Sequence, residues 1–288
     1  MISDITLGQF FPGKSPIHKL DPRTKIILAI IFIVGVFLAS NPVSFLFLAL
    51  VTAMLIPLSG ISFKVILKGI KPILFVVIFT MIINVFLTPG EQELLNLGFT
   101  KIYLEGIIKA FFMAFRIIIL IIGSSILLTY TTSPIALTDG IESLLSPLKR
   151  IKVPVHTFAM MMTIALRFIP TLIEETEKIM NAQKSRGADF SSGGLIKKAK
   201  ALIPILIPLF VSSFKRAEEL ATAMECRCYR GDKNRTKLVK LTYKMRDLAW
   251  FMYSLVFLGG IIVLGMLVDY LPTDFVLSTP SRVMFYTI

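Results

Sequence analysis

Residues 26–58 contain no charged side chain. A hydrocarbon core about 30 Å thick accommodates about 20 apolar residues per helix, so this run is too long for one span. Asn41-Pro42 in its middle is a turn signal. The run predicts two rather short helices, 26–40 and 43–58. Apolar segments at 72–88, 106–132 and 248–268 predict three more. Composition agrees with a lipid solvent: 55% of residues are hydrophobic, 17% are charged, and the mean hydropathy is +0.78. Soluble domains average roughly 45–50% apolar and about 25% charged residues. The excess excludes a secreted disulfide scaffold, a disordered chain and a plain soluble enzyme. The expected fold class is an all-α membrane protein of about five transmembrane helices with a three-helix cytoplasmic region.

The charges orient this arrangement. With the N-terminus in the cytoplasm, 27 of the 31 basic residues fall on the cytoplasmic side. Only Lys101 and Arg282 fall outside, and Lys109 and Arg116 lie within the fourth span. An excess of Lys and Arg on cytoplasmic loops is the rule for membrane proteins. The expectation is therefore a multi-pass protein of the cell membrane with a cytoplasmic N-terminus and an external C-terminal tail. The first apolar run begins only at Ile26 and lacks a small-residue cleavage pattern, so it is expected to be retained as a span. Cys226 and Cys228 fall on the cytoplasmic side, where no disulfide is expected.

Residues 133–246 form an insert too long to be a loop. The chain thus divides into 1–132 (N-terminal tail and spans one to four), 133–246 (cytoplasmic helices) and 247–288 (last span and tail). Ser133-Pro134 predicts a helix to Arg150, Pro154 a second over 155–186, and Gly193-Gly194 a turn before a third from Leu195 to about Tyr229. Pro204 and Pro208 are expected to kink the third. The second and third helices each start apolar, at 157–166 and 201–211, and end polar, at 174–186 and 215–230. A helix of about 32 residues is about 48 Å long, enough to begin at the membrane base and project a polar tip. At these tips stand Ser185-Arg186-Gly187 and Cys226-Arg227-Cys228. An arginine near a helix C-terminus complements the macrodipole, which is the simplest reading. A sharper one is a paired docking surface, because a guanidinium binds carboxylates bidentately. Residues 178–246 hold 16 basic and 5 acidic side chains, which favours acidic partners or anionic membrane lipid.

Several motifs invite a reading and fail on context. Residues 8–15 (GQFFPGKS) match the P-loop pattern, but only seven residues precede Gly8 where an α/β domain is expected to place a strand, and Pro16, Pro22 and the first span follow closely, so a nucleotide site is not expected. Cys226 and Cys228 would need both histidines, His18 and His156, from remote segments to complete a tetrahedral zinc site, so no metal is expected. Asn234-Arg235-Thr236 is a glycosylation sequon on the cytoplasmic side. Asp21-Pro22 reads as a helix cap with proline at the first position, and His18 and Arg23 as neighbouring interfacial residues. The Glu174-Glu175-Thr176-Glu177 run reads as a solvated helix face.

Lys109 and Arg116 lie seven residues apart on one helix face. Lys109 can reach the outer interface. Arg116 sits deeper, where a charge is costly and tends to be functional. A structural pairing with a polar group such as Asn84, or contact with a partner protein, explains it more simply than a transport pathway. No acidic residue lies in any span to complete a proton relay, which argues against an ion-coupled carrier.

A resemblance joins these segments. The stretches 15–25 (SPIHKLDPRTK), 147–149 (PLK) with Pro154, 167–170 (RFIP), 182–187 (AQKSRG), 215–225 (KRAEELATAME) and 227–231 (RCYRG) together resemble one family. It is the transmembrane T component of energy-coupling factor (ECF) transporters, the ABC-type systems for vitamin and cobalt uptake. The resemblance implies a coupling subunit that is not an enzyme and binds no cofactor, with ATP held by partner subunits. Its implied partners are two P-loop ATPase subunits and a small membrane substrate-binding S component. Arg186 and Arg227 would be the coupling arginines, inserted with Ser185, Gly187, Cys226 and Cys228 into grooves on the ATPases. Arg116, Pro204 and Pro208 are the expected contacts with the S component. The second triplet lacks the glycine expected after its arginine, which bears on its turn geometry. The alternatives are a stand-alone secondary transporter, which needs polar groups converging at mid-membrane, and a lipid-modifying enzyme, which needs clustered Asp, Glu or His. Nucleic acid is not an expected partner, since aromatic side chains suited to stacking are sparse across 178–246.

Overall fold

The first two membrane helices each begin at a proline that ends the preceding segment. The computed structural model describes residues 10–90, 93–96, 101–188, 190, 194–229, 231 and 241–270. Helix α1, Pro22–Leu38, has proline in its first turn, and the Asp21 carboxylate accepts a hydrogen bond from the Arg23 backbone N–H at 2.9 Å, as expected of a cap. Helix α2, Pro42–Ser59, starts on the predicted Asn41-Pro42 turn and ends at Gly60, whose φ of 68° is a left-handed conformation suited to glycine. The third expected span is preceded by a short helix: α3 covers Phe63–Ile70, α4 covers Leu74–Leu87, and the two are bent by 57°. Helix α5, Leu104–Ser124, continues into a π-helical turn at Ser125–Tyr130. Helix α9, Met245–Tyr270, is the last among the described residues.

The described residues fall into two compact units, one from those within Gln9–Gly140 and Leu241–Ile288, the other from those within Ile141–Lys240. In the first, α1 packs against α5 and α9, and α2 packs against the same two helices. Its core follows the helical repeat: Leu28, Phe32, Val36 and Ala39 on α1, and Phe45, Leu48, Val51 and Leu55 on α2. Phe32 and Phe47 each stack on Phe257 of α9, with centroids 5.9 and 6.0 Å apart. Small residues allow the approach, as is common between membrane helices. A Cβ on Gly123 of α5 would lie 2.2 Å from the Phe32 ring. The opposite faces stay apolar and exposed, as at Ile30, Phe37, Leu46, Phe75 and Leu87.

The spans differ from expectation in one respect. By length and apolar content, α2, α5 with its π turn, α7 (Val155–Ser185) and α9 can each cross a membrane, and α3 with α4 passes as a bent pair. Helix α1 has 17 residues, about 26 Å, slightly short of the hydrocarbon thickness. Helix α7, 31 residues long with an apolar window of 18, meets the length that α1 misses. Between α4 and α5 lies an unanticipated antiparallel hairpin, β1 (Glu93–Asn96) and β2 (Lys101–Tyr103), with Glu93 opposite Tyr103.

The helix expected over 134–150 is broken. Helix α6 runs Pro134–Leu144, and a 3₁₀ helix follows at Ser146–Ile151. Pro147 lacks the N–H that would continue the α-helical ladder. Helix α8, Leu195–Cys226, is continuous through Pro204 and Pro208 and ends three residues before the expected Tyr229. The sequon, most of the basic run after Tyr229 and the tail from 271 onward lie outside the described residues.

Candidate functional site

Helices α7 and α8 end in the same hydrogen-bond pattern. On α7, the Ala188 N–H donates to the Gln183 carbonyl at 3.0 Å and the Gly187 N–H to the Lys184 carbonyl at 2.9 Å. On α8, the Tyr229 N–H donates to the Met224 carbonyl at 3.0 Å and the Cys228 N–H to the Glu225 carbonyl at 2.8 Å. These 6→1 and 5→2 bonds define a Schellman motif at each tip. Ser185 and Cys226 are the last helical residues, Arg186 and Arg227 the C-caps, and Gly187 and Cys228 take the left-handed position with φ of 86° and 56°. The missing glycine therefore leaves the turn unchanged, although Cys228 bears the cost of a left-handed conformation, about 1–2 kcal/mol. Cys228→Gly is expected to stabilise the α8 tip by about 1 kcal/mol. Slower amide hydrogen exchange at 226–229 in that variant is the measurement that checks it.

Both arginines are exposed, as are Ser185, Gly187, Cys226 and Cys228. Ser185 Oγ donates back to the Asn181 carbonyl at 3.1 Å. Among the described residues neither Arg186 nor Arg227 is paired with a carboxylate, and no hydrogen bond joins the two triplets. Each guanidinium thus stands free at the negative end of a helix dipole, from an equivalent cap position. The arrangement suits two separate, geometrically alike insertions into acidic or carbonyl-lined grooves.

Upstream of its tip, α8 has two faces. Ile205, Leu209, Ser212, Ser213, Arg216, Leu220 and Met224 are wholly or partly covered. Ile203, Leu206, Ile207, Phe210, Val211 and Phe214 instead line an open apolar groove of about 780 Å³, rimmed by Lys215 and Glu218. Pro204 and Pro208 are exposed on the same helix. Helices α7 and α8 pack on each other. Glu175 is one residue by which they are joined, since its carboxylate accepts from Ser212 Oγ and from Arg216 Nη2. The reading of residues 174–177 as a solvated face fails at Glu175. An apolar repeat on α8 carrying one arginine and two serines is the signal that it needs a carboxylate opposite.

Arg116 belongs to the other unit and has a structural setting. Its Nη2 donates to the Ala39 carbonyl at 2.7 Å, at the C-cap of α1, and its guanidinium lies 5.3 Å from the Phe45 ring centroid. A cation there answers the unpaired carbonyls of the helix end. Asn84 is not its partner; that amide donates to the Thr80 carbonyl within α4.

Two charged residues whose roles are not evident from the sequence organise the start of α1. Lys25 is 2% exposed, and its Nζ donates to the carbonyls of Thr131 at 2.7 Å and His18 at 3.4 Å. Asp247 is 4% exposed and joins the first turns of α1 and α9. It accepts the Asp21 N–H at 2.9 Å and the Lys244 N–H at 2.8 Å. Arg23 stacks on Tyr243, 5.2 Å from its centroid.

The residues of the P-loop-like stretch serve local structure. Gly8 and Gln9 lie outside the described residues, and 10–15 is irregular. Ser15 Oγ lies 2.6 Å from His18 Nδ1, and His18 Nε2 lies 2.8 Å from the Phe11 carbonyl. That carbonyl can only accept, so Nε2 carries the proton. Among the described residues no group of three His, Cys, Asp or Glu side chains could hold a metal ion.

A family model described as the cobalt transport protein CbiQ matches residues 13–238. The energy-coupling factor transporter transmembrane protein EcfT of Ruminiclostridium cellulolyticum is 56% identical over 264 residues, covering 92% of this chain and 98% of that protein. The EcfT proteins of Clostridium kluyveri and Bacillus subtilis are 55% and 47% identical, each covering 86% of this chain and 92% and 93% of the relative.

Proposed function

The chain belongs to the CbiQ/EcfT family of ECF transporter transmembrane components, and from that membership we propose that it couples two cytoplasmic P-loop ATPases to a small substrate-binding S component. It is a multi-pass membrane protein by its apolar helices and its relatives. The observation that carries the coupling reading is the pair of matching tips, which present Arg186 and Arg227 from equivalent cap positions, unpaired among the described residues. ATP binding draws the ATPases together and moves the grooves that hold the tips. Helices α7 and α8 transmit that motion as stiff rods, and the exposed apolar face of α8 with Pro204 and Pro208 bears on the S component. Arg116, partly exposed while it is bonded to the end of α1, is a separate proposed contact with the S component. The chain itself performs no chemistry and needs no cofactor. Substrate choice, of a vitamin or other micronutrient, resides in the S component. The N-terminus is cytoplasmic, on the same side as the ATPases, by the distribution of basic residues.

The test is to tag the chain, extract it gently from native membranes and identify what co-purifies. Two P-loop ATPases with one or more small membrane proteins is the expected result. A homo-oligomer that still transports when reconstituted alone would instead make it a stand-alone carrier.

A further inference from the structure

We propose that Glu175, with Ser212 and Arg216, is the pivot that sets the separation and relative rotation of the two arginine-bearing tips, an inference that rests on the coupling reading only for its consequence in transport. Glu175 is a positioning residue in this role: it acts on Arg186 and Arg227 through the helices that carry them. Its Oε1 accepts from Ser212 and its Oε2 from Arg216, and these two residues are one turn apart on α8. A carboxylate held at two points along the opposing helix resists rotation and sliding, whereas a single ion pair restrains only a distance.

The surroundings would not fix that register alone. The neighbouring covered side chains are mainly apolar, with Leu172, Ile173, Ile179 and Met180 on α7 and Leu209 and Leu220 on α8. Apolar ridges tolerate several registers, and a polar contact among them selects one. The clasp adds little to stability. Its side chains are 20% exposed for Glu175 and 36% for Arg216, and pairs open to water contribute about 0–1 kcal/mol. Its effect is geometric.

The spacing makes it a symmetric pivot. Arg186 lies eleven residues beyond Glu175, and Arg227 eleven beyond Arg216. Each arm is about 16 Å long. Eleven residues make just over three full turns, so each arginine returns close to the face that carries its clasp residue. The two arms must also diverge. The start of α8 at Leu195 lies about 32 Å of helix before Arg216, while residues 186–194 reach at most about 32 Å. Parallel arms would require the connection to span about 48 Å, so the two tips point away from each other, at more than about 90°. With arms of this length, ten degrees of scissoring moves the arginines by up to about 2 Å relative to each other. That displacement is enough to break a hydrogen bond at either tip.

The experiment measures the arms directly, on the full chain in lipid nanodiscs without ATPases. Spin labels go on Cys226 and on Lys184→Cys, with Cys228→Ser to leave one label per tip, and pulsed dipolar spectroscopy reads the distance between them. The clasp intact, a narrow distance distribution is expected. Glu175→Gln and Ser212→Ala are each expected to broaden or shift it by several ångströms with helicity unchanged, and the exchange Glu175→Arg with Arg216→Glu is expected to narrow it again. Equal distributions in the clasped chain and the uncharged Ser212→Ala and Glu175→Gln variants would overturn the proposal, as would an exchange variant that stays as broad as Glu175→Gln. Because no ATPase is present, this outcome is independent of whether the tagged wild-type chain retrieves ATPases.

Discussion

Replacing Arg186 and Arg227 together with alanine is expected to strip the ATPases from the purified complex and abolish uptake, with the chain still inserted in the membrane. Each arginine is exposed and, among the described residues, free of an intramolecular carboxylate, so neither change leaves a buried charge behind. A charge-assisted hydrogen bond contributes about 1.5–3 kcal/mol. Two such anchors give about 3–6 kcal/mol, a loss of two to four orders of magnitude in affinity. If the arginines only complement the helix dipoles, the cost is about 0.3–1 kcal/mol per tip and falls on the tip rather than on the partner. Lysine separates the two readings. It keeps the charge at the helix end but lacks the bidentate fork, so Arg186→Lys with Arg227→Lys is expected to retain the tips and still lose most of the ATPase. Retention of ATPase by the double-alanine variant, measured by co-purification, would remove both residues from the coupling role.

The second large effect is on stability. Asp247→Ala is expected to destabilise the protein by about 3 kcal/mol, because it removes two hydrogen bonds to a carboxylate and strands their donors. The side chain is 4% exposed, and it serves the Asp21 N–H and the Lys244 N–H at once. On α9 it completes half of a capping box, reaching back to the N–H of the cap residue. On α1 it supplies the N–H of Asp21 while Asp21 itself caps Arg23. Asp247→Asn keeps the shape with a single strong acceptor and is expected to lose about half as much. The measurement is the fraction of monodisperse full-length protein surviving a temperature series. An alanine variant as heat-resistant as the wild type would mean that water takes the carboxylate's place.

Elements decided by neighbouring residues are legible in the amino-acid order. Asp21-Pro22 announces the start of α1, Asn41-Pro42 the break before α2, and Pro154 the start of α7. The family is legible for the same reason, since its motifs are short contiguous runs. The 3₁₀ break at Pro147 is visible in principle, because a proline just past the end of a helical run acts on the four residues before it. The hairpin between α4 and α5 is not: it depends on two short segments meeting, and neither shows a strand pattern alone.

Local chemistry within one or two turns is enough to place the apolar spans, the helix caps and the two arginine triplets. The tertiary structure alone decided which charges are free and which are spent. Glu175 meets Ser212 and Arg216, Arg116 meets the end of α1, Lys25 meets Thr131, and Asp247 meets Asp21. The pairing of donor with acceptor in those cases spans 37 to 226 residues. A side chain declares what it can bond, but only the closure of the chain in three dimensions selects among the many partners chemically able to answer it. By that selection Glu175, Arg116, Lys25 and Asp247 hold the helices in place, and Arg186 and Arg227 are left open for another molecule.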